Sequence, residues 1–372
     1  MIQEARAIPI GVVGAGTISQ SIHLESLRRA GFEVRVVCDL SPSRAAQVAA
    51  SVGARAATDP AEVFESDVDA VLLATPGTHA ELAAEAIRAG KHVLAEKPLA
   101  FTVREVDALE QLAAHFEVVT QVGYMKMFDP LLDTAVAELA ALHDVRLVRV
   151  TVAHPADEPQ VAHLRMGLPP DDADPAAIAA AVEYDHARAA EALQGADESL
   201  LAYYANVLNG SVIHELSLLR ALGLPLPERW TASAVTPLDG PEPASLLATA
   251  QVGDAAYVLS WSWLPEYPEY DEELTVLAAN GRLEMHLAKP YVLEARSRLR
   301  SRRHAGELRQ DTDYTAGHET GFLRQLDAFA AAIRSGSPNP ATFAGAKHDI
   351  AQLQRIAQAV GASLGTHVTT EV

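Results

Sequence analysis

The chain has 372 residues, more than one ordinary domain holds, so two domains are expected. Apolar residues make up 49% of it, enough for a substantial core and against disorder over most of the length. Lys and Arg number 29 against 49 Asp and Glu, a net charge of −20, which argues against nucleic acid or an anionic membrane as partner.

No apolar run reaches the ~18 residues of a membrane span, and Met1 to Ile10 lacks the apolar stretch of a signal peptide. The single cysteine, Cys38, rules out an intrachain disulfide and fits a reducing compartment, so a cytoplasmic protein is expected.

The first ~120 residues alternate short β-branched runs with helical patterns, the signature of a parallel sheet with crossover helices. Ile8 to Val13 reads as a strand and Ile18 to Ala30 as a helix ended by Gly31. Val34 to Cys38 is the next strand, and Ser41-Pro42 starts a helix that Gly53 stops. Asp59-Pro60 repeats that start signal. Asp69 to Ala74 is an unbroken apolar strand, and Gly90 stops the helix after it. Lys91 to Ala95 is a strand, Thr102 and Glu105 form a capping box, and Val118 to Val122 is the last strand of this series.

Beyond Asp129 the pattern changes. A helix at Pro130 to Leu142 leads into a strand at Val145 to Ala153, and Pro155 to Pro175 reads as loop or insertion. Helices are expected at about 176–193 and 198–222. Antiparallel strands follow at Ala244 to Val252, Ala255 to Trp263, Glu272 to Ala278, Arg282 to Leu287 and Tyr291 to Leu299, with Asn280-Gly281 as a hairpin signal. Two helices at about 319–334 and 344–361 close the chain. The expected fold is an α/β Rossmann domain over 1–127, then an α+β domain with a largely antiparallel open sheet over 128–372, carrying a helical insertion at about 155–208.

Gly14-Ala15-Gly16-Thr17-Ile18-Ser19 follows a strand and opens a helix, the context of a dinucleotide site. Ser19 stands where a third glycine is usual. Asp39 ends the second strand about 25 residues after Gly14, near the spacing at which a carboxylate takes ribose hydroxyls, so NAD is favoured over NADP. Ser41 and Arg44, just beyond, can instead contact a phosphate; a helix cap and a surface residue are the plain alternatives. Two further turns fall at the same carboxyl edge of the sheet, Ala74-Thr75-Pro76-Gly77-Thr78-His79 and Ala95-Glu96-Lys97-Pro98-Leu99. A lysine leaving a buried strand is unusual. Beside a nicotinamide its ammonium can stabilise a developing alkoxide.

Taken together, Gly14-Ala15-Gly16-Thr17-Ile18, Ala74-Thr75-Pro76 with His79, Ala89-Gly90-Lys91-His92-Val93, Glu96-Lys97-Pro98 and Val122-Gly123-Tyr124 resemble the glucose–fructose oxidoreductase, inositol dehydrogenase and MocA family (Gfo/Idh/MocA). The resemblance is dense over residues 8–130 and looser afterwards. It implies that Lys97 binds the reacting hydroxyl or carbonyl beside the nicotinamide, that the Lys97-Pro98 bond is cis, and that Thr75, Pro76, His79 and Glu96 border the cofactor. In such proteins a helix of the second domain carries Asp, three residues, His, and another Asp three residues later. Gly210-Ser211-Val212-Ile213-His214-Glu215-Leu216-Ser217 matches it with His214 as acid–base, but Gly210 and Ser217 replace the two Asp, leaving Asn209 or Glu215 as substitutes. Tyr124, Lys126 and Asn209 are further candidates to contact substrate. No C-x-x-C, H-E-x-x-H or acidic cluster has metal-ligand spacing, so no metal is expected. Trp261 and Trp263 share a strand face, as core, subunit interface or a sugar-stacking surface.

The resulting expectation is an NAD(P)-dependent oxidoreductase of a sugar, polyol or cyclitol, working in a cleft between the Rossmann edge and the helices near 200–215. Association as a homodimer or homotetramer through the C-terminal sheet is expected, and the insertion is read as a substrate lid or subunit contact. Three alternatives stay open: an NAD-retaining enzyme that uses redox for elimination or glycoside cleavage, a reductase of nucleotide-linked ketosugars, and a non-enzymatic NAD sensor.

Overall fold

The computed structural model describes residues 6–164, 172–292 and 295–372. The chain forms two compact units. The first comprises the residues up to Met125 with Leu164–Arg188 and Phe322–His348; the second comprises Lys126–His163, Ala189–Gly321 and Asp349–Val372. A linear division at 127/128 thus falls beside the first passage between units, but two later segments join the first. The reason is visible in the helix Gly321–Ser335, whose Leu326, Phe329 and Ala330 pack into the core with Ile8, Ile10 and Phe32. An amphipathic pattern tells which helix face is buried, not against which sheet.

In the first unit, β1 (Ile8–Val13), β2 (Phe32–Cys38), β3 (Arg55–Ala57), β4 (Ala70–Leu73), β5 (His92–Ala95) and β6 (Thr120–Val122) form a parallel sheet in the order β3-β2-β1-β4-β5-β6. That is the Rossmann order, with the chain reversing direction across the sheet between β1 and β4. The start signals read from sequence are all present. Ser41 accepts from the Arg44 amide to cap Pro42–Val52, Asp59 caps Pro60–Phe64, and Thr102 and Glu105 close a capping box on Val103–Phe116. The first helix departs from α geometry at Ser19–His23, which forms a π turn. Cys38 is buried at the end of β2, and burial pushes its thiol up to about 12, so it is an inert small hydrophobe.

The remaining strands are β7 (Val145–His154), β8 (Leu193–Gln194), β9 (Thr231–Ala234), β10 (Leu246–Val252), β11 (Ala255–Trp263), β12 (Asp271–Ala278), β13 (Gly281–His286), β14 (Arg298–Ala305), β15 (Leu308–Thr315) and β16 (Thr369–Thr370). Eight of them make one sheet in the order β15-β14-β13-β12-β7-β11-β10-β9, while β8 pairs with β16. The sheet is antiparallel except where β11 runs parallel to β7. The hairpin between β12 and β13 pairs Ala278 with Gly281, so its loop residues are Ala279 and Asn280. The strand expected at Tyr291 to Leu299, part of which lies outside the described residues, occurs later, at Arg298–Ala305. The edge strands β9 and β15 escape a hydrophobic-pattern reading because edges are short or charged, as in Leu308–Thr315.

Gly14 has φ +97, and a Cβ on it would lie 2.4 Å from the Ala74 carbonyl oxygen. Gly14→Ala should therefore destabilise the first unit by about 2–4 kcal/mol through left-handed strain and overpacking. Urea unfolding checks this; an unchanged midpoint contradicts it.

Candidate active site

All the turns singled out in the sequence leave the same carboxyl edge of the parallel sheet. At the end of β1, Gly14 turns sharply and donates its amide to the Cys38 carbonyl at 2.8 Å. Ser19, in the third-glycine position, is buried and donates its hydroxyl to the Gly14 carbonyl at 2.6 Å, so it closes the turn rather than merely fitting it. A Cβ on Gly16 would meet nothing within 4 Å. That open space lies before the helix that starts at Thr17 and Ile18, where free amides and the helix dipole favour an anion. Asp39 accepts from the Ala15 amide and the Ser41 amide, both at 2.9 Å, with the Arg44 guanidinium at 3.4 Å. These residues fit a dinucleotide: pyrophosphate at the glycine turn, a ribose diol at Asp39, whose oxygens keep spare acceptor capacity.

At the end of β5 the chain enters Glu96-Lys97-Pro98, and the Lys97-Pro98 bond is cis, as the resemblance implies. Glu96 is buried and accepts from His23 Nε2 at 2.8 Å, and its other oxygen accepts from the Lys97 amide at 3.2 Å. Burial alone would raise the Glu96 carboxyl, but the His23 hydrogen bond and charge, with the charges of Lys97 and His79, hold it below its ordinary range. Gly123 is required beside it, since a Cβ there would approach the Glu96 carboxyl to 2.7 Å. The buried His79 ring places Nδ1 2.9 Å from the Pro98 carbonyl, and burial lowers its pKa, so the neutral ring backs the turn. Thr75 is half-buried and Pro76 exposed on the neighbouring turn, and Tyr124 is fully buried. Lys97 itself is half-buried. His23 is the residue that sequence reading missed: it sits one helical turn past the glycine motif, and nothing local links it to Glu96.

In the second unit a single run of helical turns holds Glu198–Tyr203, a π segment at Tyr204–Val212, and Ile213–Ala221. His214 is half-buried at the start of the last piece. Ser217 donates to the His214 backbone carbonyl at 2.9 Å, so it does not replace a carboxylate that orients the ring. Asn209 is buried and spends its amide on the Tyr204 carbonyl at 3.0 Å. Gly210 has room for a larger residue, the nearest atom to a Cβ being the Ala205 oxygen at 3.8 Å.

Lys126, expected near substrate, lies in a buried charged cluster. Its buried ammonium bonds Glu215 at 2.8 Å, Glu272 at 2.5 Å and the Tyr270 hydroxyl at 3.4 Å, using all three of its donors within the chain. Burial, above all, pushes the Glu215 carboxyl up to about 7, with Lys126 pulling it down and Glu272 pushing it further up. A signal for this cluster was present in the sequence: Glu272 takes an inward place on β12 between Tyr270 and Leu274, where alternation demands an apolar residue. The His154 ring packs edge-on against Tyr270 and stacks on Trp263 at 5.5 Å, and Trp261 Nε1 donates to Ser211 at 2.9 Å. His154, Trp261, Trp263 and Tyr270 thus form one aromatic wall that joins the charged cluster to the helix carrying His214.

The insertion takes a place on the first sheet's carboxyl edge. Its helix Pro175–Ala192 brings Asp185 to the Thr78 amide at 3.2 Å and hydroxyl at 2.7 Å, and Tyr184 donates to Glu105 at 3.2 Å. Residues 165–171 of the insertion lie outside the described residues. Among the described residues no group of three or more His, Cys, Asp or Glu is arranged to hold a metal ion, and no helix is long and apolar enough to cross a membrane.

Residues 8–124 match the family described as "Oxidoreductase family, NAD-binding Rossmann fold" (GFO_IDH_MocA). The chain is 43% identical over 127 residues to an inositol 2-dehydrogenase of Saccharopolyspora erythraea, which covers 33% of this chain and only 37% of that relative. Two solved structures resemble nearly the whole fold. An inositol dehydrogenase homolog from Azotobacter vinelandii, complexed with NAD+, has a TM-score of 0.73 at 20% identity, covering 99% of this chain and 98% of the other. A 3-ketoreductase from Actinomadura kijaniata, in complex with TDP-benzene and NADP, has a TM-score of 0.66 at 18% identity, covering 96% and 98%.

Because the folded state raises the Glu215 pKa above its ordinary value, its contribution to stability is full below about pH 4.5 and is lost as pH rises towards 7. Glu215→Gln should flatten that fall in melting temperature across pH 4.5 to 7. A slope identical to wild type would contradict the assignment.

Proposed function

We propose that this chain, whose residues 8–124 match the model of the NAD-binding Rossmann domain of Gfo/Idh/MocA oxidoreductases, interconverts a secondary alcohol and its ketone on a polyol, cyclitol or sugar, with NAD as the favoured cofactor. The observation that carries the reading is the placement of Lys97. It leaves β5, two strands from the glycine turn that ends β1, and strands lie ~4.8 Å apart, so roughly 10 Å separates the two. A dinucleotide anchored by its pyrophosphate at β1 spans that interval, which brings its nicotinamide end to β5.

Bound NAD supplies the hydride acceptor. Glu96, His23 and His79 fix the turn from which Lys97 points, and the Lys97 ammonium binds the reacting oxygen and stabilises the charge that develops on it. His214 takes the hydroxyl proton in oxidation and returns it in reduction. The half-buried rings of His154 and Trp263, backed by the buried Trp261, offer ring faces suited to the C–H face of a sugar or cyclitol. Tyr124 and Asn209 remain part of the proposed substrate surround, and Thr75, Pro76, Thr17 and Ile18 part of the cofactor's. Self-association through the C-terminal sheet belongs to the same reading, supported by the exposed apolar Leu247 and Leu308 on its strands. A cytoplasmic site of action is proposed from the single, buried, unpaired Cys38.

A panel of polyols and cyclitols offered with NAD+ or NADP+, followed at the absorbance of the reduced nicotinamide, should find at least one substrate. With it, Lys97→Ala should lower kcat/KM by at least about 10³-fold while NAD affinity changes by less than about threefold, and His214→Asn should lower kcat by about 10²- to 10⁴-fold. Full activity in Lys97→Ala would overturn the assignment.

A further inference from the structure

The insertion brings an unexpected carboxylate to the nucleotide edge. Asp172 accepts from the Ser41 hydroxyl, from the Ser43 hydroxyl at 3.0 Å, and from the Ser43 amide at 3.3–3.4 Å. Those donors open the helix Pro42–Val52, and the Ser41 hydrogen bond, foremost, lowers the Asp172 pKa. An anion therefore already sits at this helix start, and the chain supplies it.

Its position relative to Asp39 gives it a meaning. Asp39 lies between the Ala15 amide of the glycine turn and the Ser41 amide. A ribose held by Asp39 presents its 2′-oxygen there, and a phosphate on that oxygen extends one ester bond further, to the next available donors. The Ser41 hydroxyl and the Ser43 amide and hydroxyl are that donor set, and Asp172 has taken it. The charge balance points the same way. Asp172 adds a second carboxylate beside Asp39, so a phosphate dianion would meet added negative charge there. The placement is not that of a stray arm. Thirteen residues on, Asp185 fastens the same segment to Thr78, so closely that a Cβ on Gly77 would lie 1.8 Å from the carboxylate. The two fastening points lie on the loops that follow β2 and β4, the strands on either side of β1.

We propose that Asp172 is a specificity-determining residue: it occupies the place of a 2′-phosphate and thereby selects NAD against NADP. The inference rests on the proposed dinucleotide function and adds a residue from outside the matched family domain. Asp172 is exposed, so its replacement spares the fold. Calorimetric titration of NAD and NADP into the full chain, at one ionic strength, reads the preference directly. In Asp172→Ala the ratio of NADP to NAD dissociation constants should fall at least tenfold, and Asp172→Asn should fall part of the way. Adding Ser41→Ala to Asp172→Ala should cancel most of the gain in NADP affinity. An unchanged ratio, or equal shifts for both dinucleotides, overturns the selectivity role while leaving the dehydrogenase reading intact. Failure of the wild type to bind either dinucleotide overturns both.

Discussion

The arrangement depends on one buried carboxylate. Glu96 is taken out of water beside His23 and below the Lys97 amide, and an isolated ion in that position would cost several kcal/mol. His23 compensates it. Because His23 rides on the helix that begins at the glycine turn, the pair ties the phosphate end of the nucleotide edge to the turn that carries Lys97. The distance between those two places is then set by side-chain chemistry as well as by the strand spacing of the sheet. Gly123, which must lack a side chain to admit Glu96, belongs to the same constraint.

The second unit solves a similar problem with a different balance. Lys126 lies between Glu215 and Glu272, two carboxylates to one ammonium, and the excess is met by burial favouring a proton on Glu215. Tyr270 connects that cluster to the aromatic wall through its hydroxyl on Glu272 at 2.7 Å and its ring against His154. A buried layer of linked polar and aromatic side chains of this kind suits the support of a substrate surface. Its lysine, expected from its sequence position to lie near substrate, is held by Glu215, Glu272 and Tyr270 of the chain itself.

The nucleotide domain was highly legible. Its central strands β1 and β4 are apolar runs, its helices are punctuated by Ser41, Asp59, Thr102, Gly53 and Gly90, and each signal acts over fewer than five residues. Lys97 stood out because a lysine after a buried strand is costly without a task. The parts that stayed hidden are long-range. His23 meets Glu96 across 73 positions and Asp172 meets Ser41 across 131, and no periodicity encodes such pairs. The helix Gly321–Ser335 showed its apolar face but not its destination on the first sheet. Edge strand β15 was missed because the charges that protect an edge also erase the pattern of a strand. Glu272 was readable in principle, as a carboxylate in the inward register of β12.

The central claim is that a nicotinamide lies beside Lys97. A crystal structure of the chain with saturating NAD and a polyol tests it most directly. The account predicts pyrophosphate oxygens against the amides following Gly16, and a polyol oxygen within hydrogen-bond distance of Lys97 Nζ next to the nicotinamide C4. A dinucleotide bound elsewhere, or a nicotinamide turned away from Lys97, would contradict it.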